Sequence, residues 1–442
     1  MASNASKVPF LRVVAKRGFA AQACPRPLGK AADVQSNVLP NKVVVATAES
    51  SLPVTRVSVV FRAGSRNENY DSLGANHIIR IAAGLTTKYR TGFSITRNLQ
   101  QIGGSLTASS DRELLTYTIE TTSDKQEVGL KLLQDIIAPA FKPWEISDVA
   151  PRIRTQVAAV PPQIRAVELL HRAAFRTGLG NSLYIPKHKI GKISSETLLH
   201  FVASNCTAGR CAVVGVGIDQ NTLSGFAQSL ELESGGGKDS PSKYCGGEIR
   251  KEKGGDRAVV AVAGEAVFAN PQEALAYAVL ERALAPQPAV KWGNTNGALA
   301  KAASSAAGST PVCISALNAT YSDGGLFGFV VSADAGVAGK AVEAAARVLK
   351  AGTVSGDDVN RGKALLKADI LEAYGTDAGL IATLGNQAAL QQAVQSADNM
   401  LAAVDSLSQS DIQSAARKAG SSKLSIGAIG NLVNVPYASD LS

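Results

Sequence analysis

Two stretches of this chain, about 210 residues apart, carry the same succession of features, and a chain that repeats one unit folds that unit twice. Residues 57–62 (VSVVFR) are a strand-like apolar run, followed after a Gly/Asn-rich turn by a helical pattern over 75–85. Residues 259–263 (VVAVA) are likewise strand-like and lead past Asn270-Pro271 into a helical pattern over 273–284. Farther on, 114–121 (LLTYTIET) runs into a helix over 125–137, and 326–332 (LFGFVVS) into a helix over 339–349. Residues 196–216 and 409–429 both read as helix, turn and strand. Leu114 to Leu326 is 212 positions and Glu196 to Gln409 is 213, so the register holds over a long span. Between the copies, residues 233–255 are rich in Gly, Ser and Lys, lack apolar periodicity and read as a linker. Strands and helices mix without strict βαβ alternation. The expectation is an α+β fold with two homologous domains related by internal duplication, over 37–232 and 256–442.

The 442 residues are enough for a sizeable core in each copy, and 45% apolar with 18% charged residues is a globular composition. No apolar run approaches the roughly 18 residues of a membrane-spanning helix. The formal charge is +9, yet six of the excess cations (Lys7, Arg12, Lys16, Arg17, Arg26 and Lys30) precede Asp33, the first acid, which leaves +3 for the rest. With aromatics at 5% and no basic stripe interleaved with them, nucleic acid is not an expected partner. The five cysteines, Cys24, Cys206, Cys211, Cys245 and Cys313, are scattered and odd in number, and no CxxC pair occurs, so reduced, mostly buried thiols of a non-secreted protein are expected.

Residues 1–36 read as an address followed by a disordered start. Val8, Leu11 and Ala15 share one side of a helix, while Arg12 and Lys16 stand i, i+4 on another. This acid-free, cationic, amphipathic pattern is that of a mitochondrial transit peptide, and Arg17-Gly18-Phe19-Ala20 places the expected cleavage after Phe19. The alternative is an unstructured basic tail.

No nucleotide motif survives inspection. Gly215-Val216-Gly217 lacks the third glycine of GxGxxG, Gly237-Lys238 has no preceding glycine at P-loop spacing, and no GxSxG occurs. Of the four histidines, His77, His171, His188 and His200, only His77 stands in a suggestive setting, Gly74-Ala75-Asn76-His77-Ile78-Ile79-Arg80-Ile81, early in the first helix. With VVFRAGSRNE and GANH before it, and LTTKYRTG and GGSLTASSDRELLTYTIE after it, this segment resembles the first domain of the M16 processing-peptidase (inverzincin) family. The resemblance implies two domains, each a mostly antiparallel sheet packed with helices. In that family the helix carries His-x-x-Glu-His, two zinc ligands and a water-activating glutamate.

Here those positions read His77, Arg80 and Ile81, so the base is replaced by a cation and the second ligand by a hydrocarbon. The third ligand, a glutamate roughly 75 residues downstream in the family, falls in an acid-free window, 149–167, bounded by Asp148 and Glu168. One imidazole does not replace the hydration shell of Zn²⁺, which in catalytic sites takes three protein ligands and water, and arginine stays protonated. The expectation is a degenerate tetrad with no catalytic, metal or cofactor residues. Residues 293–309 lack the glycine-rich run of the family's non-catalytic processing subunits, whereas 168–175, 181–193 and 314–334 resemble the core-protein branch, subunits of the mitochondrial cytochrome bc1 complex. That resemblance implies a non-enzymatic subunit on the matrix side of the mitochondrial inner membrane, paired with core protein 1 and other subunits, required for assembly and held peripherally. It would serve electron transport without haem or iron–sulfur ligands of its own. The rivals are a subunit of a matrix presequence-processing peptidase and a stand-alone scaffold. The Ala-rich helical stretches 341–349 and 379–393 permit close packing or simply favour helix.

Overall fold

The computed structural model describes residues 34–50, 52–235, 241–268, 270–285 and 297–441. The expected transit peptide and Cys24 therefore lie outside the described residues, apart from the last three positions of 1–36. In chain order the first half contains strands β1 (Val34–Val38), β2 (Val44–Ala48) and β3 (Val54–Phe61), then helices α1 (Ala75–Ile81) and α2 (Gly92–Gln101). Strands β4 (Ser105–Ser110) and β5 (Leu115–Thr122) precede α3 (Gln126–Ile136), α4 (Pro143–Ala159), α5 (Pro162–Phe175) and α6 (Ser195–Asn205). Strand β6 (Cys211–Val216) and α7 (Gln220–Ser229) close the half. The second half has β7 (Glu248–Glu252), β8 (Arg257–Ala266), α8 (Pro271–Leu284), α9 (Ala298–Ala307), β9 (Val312–Thr320) and β10 (Gly325–Asp334). It ends with α10 (Ala335–Ala351), α11 (Gly356–Gly375), α12 (Asp377–Gln391), α13 (Ala397–Ser406), α14 (Gln409–Ser421) and β11 (Leu424–Gly430).

The duplication is explicit in the sheets. The first has order β1-β2-β6-β3-β5-β4 and the second β7-β11-β8-β10-β9, so the second repeats the first without its outermost strand. In each, one parallel pair (β2 with β6, β7 with β11) joins an otherwise antiparallel array. The α+β class and the repeated, mostly antiparallel sheet expected from the sequence are what the chain builds.

Central strands read as unbroken apolar runs because both of their faces are covered. One face of the first sheet, with Val57, Val59, Phe61, Tyr117 and Val213, packs on the helices of its own half. Its other face, with Val44, Ala46, Val60, Ala212 and Val214, is covered by Leu380, Ile381, Leu384 and Ala388 of α12, which comes from the second half. Reciprocally, Val259, Ala261, Ala263 and Ile429 of the second sheet are covered by Ala166, Leu170 and Ala174 of α5, from the first half. The two halves thus exchange one helix each.

Three expectations need correction. The helix expected over 75–85 stops at Ile81, and Gly84, at φ +86°, takes a left-handed conformation that turns the chain away. The segment 233–255 is not wholly linker, since β7 lies inside it; as a half-exposed edge strand (EIRKE) it shows no apolar run to read. The start expected to be disordered to residue 36 already contains the first residues of β1, paired antiparallel with β2.

Candidate functional site

α1 is a short, almost wholly buried helix, and its start is fixed from outside. Gly74, at φ +93°, precedes it, and the two carboxyl oxygens of Glu68 accept the backbone N–H groups of Gly74 and Asn76, both at 2.8 Å. These oxygens satisfy two of the open donors of the helix N-terminus. A side chain at Gly74 would lie 2.5 Å from Cβ of Ile185, so the glycine lets the loop at 184–185 approach α1.

That approach decides what His77 does. The Ile185 N–H donates to His77 Nδ1 at 3.3 Å, so Nε2 carries the proton and donates to Gln156 Oε1, also at 3.3 Å. The Tyr184 ring stands edge-on to the imidazole at 5.5 Å between centroids. Burial, helped by the Arg80 charge and opposed by the Gln156 contact, lowers His77 to about 4, so the ring is neutral at physiological pH. Both ring nitrogens face partners, at the long end of hydrogen-bonding distance.

Around it the donor set is wrong for zinc. Ile81 is a buried hydrocarbon, and Arg80, one turn on from His77, presents a guanidinium. Asp148 is exposed, and Glu168 is committed to Arg112, whose Nη2 lies at 2.6 Å, and to the Leu183 N–H. The side chain that meets the imidazole from α4 is Gln156, an amide that carries no charge to offset a dication. Zinc would find one imidazole, an amide and a repelling cation where it needs three good ligands, and these residues do not fit it. Among the described residues, no group of three or more His, Cys, Asp or Glu side chains is placed to hold a metal ion.

Above the site is an open cleft of about 400 Å³. It is lined by Arg80 and Ile81 of α1, Arg152 and Gln156 of α4, Val160 and Pro161 of the turn beyond, Ala108 of β4, and Tyr184. Arg152 and Gln156 are i, i+4 and therefore share a helix face. Sequence reasoning finds His77, Arg80 and Ile81 but misses Gln156, Arg152 and Tyr184. The 79-residue interval from His77 to Gln156 is the one signal available, and it points to a position rather than to a chemistry.

The histidines passed over separate into two kinds. His188 and His200 are exposed. His171 is buried between the halves, where its Nδ1–H donates to the Val167 carbonyl and Nε2 accepts the Tyr321 hydroxyl, each at 2.8 Å.

Comparison with known proteins gives a consistent setting for this geometry. Residues 43–187 match the family described as Insulinase (Peptidase family M16). Cytochrome b-c1 complex subunit 2, mitochondrial, of Rattus norvegicus is 35% identical over 417 residues, covering 92% of both chains. The Homo sapiens protein of the same name is 35% identical over 418 residues with the same coverage. The probable mitochondrial-processing peptidase subunit alpha-1 of Arabidopsis thaliana is 28% identical over 425 residues, covering 92% of this chain and 84% of that one. Among solved structures, a chain of Complex III2 from Candida albicans, Inz-5 bound, shares the fold with a TM-score of 0.77 at 17% identity, covering 92% of this chain and 99% of that chain.

Proposed function

Because the chain belongs to the M16 peptidase family and, within it, to the group of cytochrome b-c1 complex subunit 2 proteins, we propose that it is a non-catalytic core subunit of mitochondrial ubiquinol–cytochrome c reductase, needed for assembly and stability of that complex. The observation that carries the non-catalytic part is the arrangement at His77. Peptide hydrolysis on this scaffold requires a metal-bound water and a base to deprotonate it. Here the base position holds Arg80, which stays protonated at any physiological pH, and the imidazole is engaged at both nitrogens.

Its partners in this reading are core protein 1 and other subunits of the complex, and its contribution to respiratory electron transport is structural. It enters the mitochondrion by its basic N-terminal segment and sits on the matrix side of the inner membrane. No helix of the described residues is long and apolar enough to cross a membrane, and in this reading the partners hold the chain there.

The test is migration on a native gel after mitochondria are opened with a mild detergent, with haem staining and mass spectrometry of the band. The chain is expected to run far above its own 45.6 kDa, together with b- and c-type cytochromes. A haem-free pair of M16 proteins in the soluble fraction would instead favour the processing-peptidase role, for which the 28% identity to the Arabidopsis thaliana protein is the supporting observation.

A further inference from the structure

The cleft over α1 has an unbalanced lining. Two arginines, Arg80 and Arg152, line it and no acidic residue does. Arg80 is half-buried, and neither arginine has a hydrogen-bond or ion-pair partner among the described residues; Asp111 feels the Arg80 charge without pairing with it. Other half-buried arginines are held by partners: Arg56 by Glu120, Arg90 by Asp135, Arg282 by Asp369, and Arg165 by the carbonyls of Val160 and Ala158. A guanidinium withdrawn partly from water without a partner is costly, and an arriving anion relieves that cost.

The neutral groups point the same way. His77 donates its Nε2–H to Gln156 Oε1, and the amide NH₂ of Gln156, a residue that lines the cleft, has no partner of its own among the described residues. The hydroxyl of Tyr184, which also lines the cleft, has no partner among the described residues. The polar side chains lining the cleft are thus rich in donors. The remaining lining, with Ile81, Val160 and Pro161, is apolar, and about 400 Å³ is within the size range of small-molecule sites.

We propose that this cleft binds a small organic anion, a carboxylate carried on a short apolar body, with Arg80 and Arg152 gripping the carboxylate and the Ile81–Pro161 side receiving the body. His77 is then a positioning residue that fixes the Gln156 amide. The proposal does not depend on which complex the chain joins, so failure of the respiratory assignment leaves it standing.

The test is calorimetric titration of the folded full chain with hexanoate, its cationic counterpart hexylammonium, and inorganic phosphate. Saturable hexanoate binding that weakens with salt is expected, with no binding of hexylammonium. Loss of one charge-assisted contact in Arg80→Gln should weaken hexanoate by about tenfold or more. Arg152→Gln, at an exposed position, gives the same direction if Arg80→Gln fails to fold, and Arg154→Gln on the same helix should leave binding unchanged. Absence of saturable hexanoate binding, or unchanged affinity in both cleft variants, overturns the proposal. Phosphate binding as tight as hexanoate overturns the apolar-body assignment.

Discussion

His77 and His171 are buried and neutral for the same first reason, desolvation of the imidazolium, with Arg80 adding repulsion at one and Arg112 at the other. Burial and that repulsion lower them to about 4 and about 3. In the unfolded chain both take a proton as pH falls below about 6.5, whereas the folded chain refuses it until far lower. The unfolded state then binds more protons, so stability falls with pH from about 6.5 downward, by on the order of 1 kcal/mol per pH unit for each ring. Glu68 acts in the opposite direction: burial pushes its carboxyl up to about 8, and stability falls as pH rises from about 4.5 toward 8. Two imidazoles outweigh one carboxyl on the acid side, so the thermal midpoint should peak near the ordinary histidine value of about 6.5. Melts from pH of about 4.5 to about 8 should show His77→Gln flattening the acid limb and Glu68→Gln flattening the alkaline one; unchanged limbs would contradict the assignment. At this scale the sequence is legible where chemistry is written in residue type. His77 beside Arg80 announces a lost ligand set, but Gln156 is an ordinary glutamine until folding brings α4 against α1.

The exchanged helix α5 comes close to the backbone of the sheet it covers, whereas α12 covers its sheet with Leu380, Ile381 and Leu384. A Cβ on Gly427, in β11, would lie 2.3 Å from the Leu170 nitrogen and 2.4 Å from the Ala166 carbonyl oxygen of α5. Neither atom belongs to a flexible side chain, so Gly427→Ala must lift the helix from the sheet. The expected loss is about 3 kcal/mol, toward the upper end for overpacking, read as a fall in the denaturant midpoint. A Cβ on Gly225, in α7, would instead meet nothing within 4 Å, and Gly225→Ala should stabilise by about 0.5–1 kcal/mol through helix propensity. Two glycine-to-alanine changes of opposite sign in one chain separate contact from backbone entropy. The strands of both sheets and the helices after them are legible as apolar runs and periodic patterns. The exchange is not, because Ala166, Leu170 and Ala174 declare a buried stripe without naming the sheet that buries it. Likewise the Ala-rich stretch 379–393 carries the option of close packing, and its actual partner is the sheet of the opposite half.

At the scale of the molecule, the exchange and a buried polar seam make the halves depend on each other. Arg66, 4% exposed at its side chain, meets Glu113 at 2.8 Å in its own half and Asp323 from the other, with its Nη1 at 3.0 Å from Oδ1. Ser322 donates its N–H to Glu113, and Ser242 donates its N–H to Asp323, so both acids are also tied to backbone. A second knot joins Arg112 and Glu168 to the Tyr321 and His171 pair. Separating the halves would take Asp323 from Arg66 and Tyr321 from Arg112 and strip one face from each sheet, exposing Leu170 and Phe175 on one side and Leu380, Ile381 and Leu384 on the other. Each such apolar side chain contributes roughly 1.5–3 kcal/mol by burial, several times over, against a total stability of about 5–15 kcal/mol for a typical domain. Neither half should therefore fold alone. A chain broken between Gly235 and Pro241 is expected to give two pieces that co-purify and melt in one calorimetric transition, while either piece expressed singly shows no cooperative melt. Two separate transitions, or one piece that folds by itself, would mean that the exchanged helices cover the sheets without being required by them.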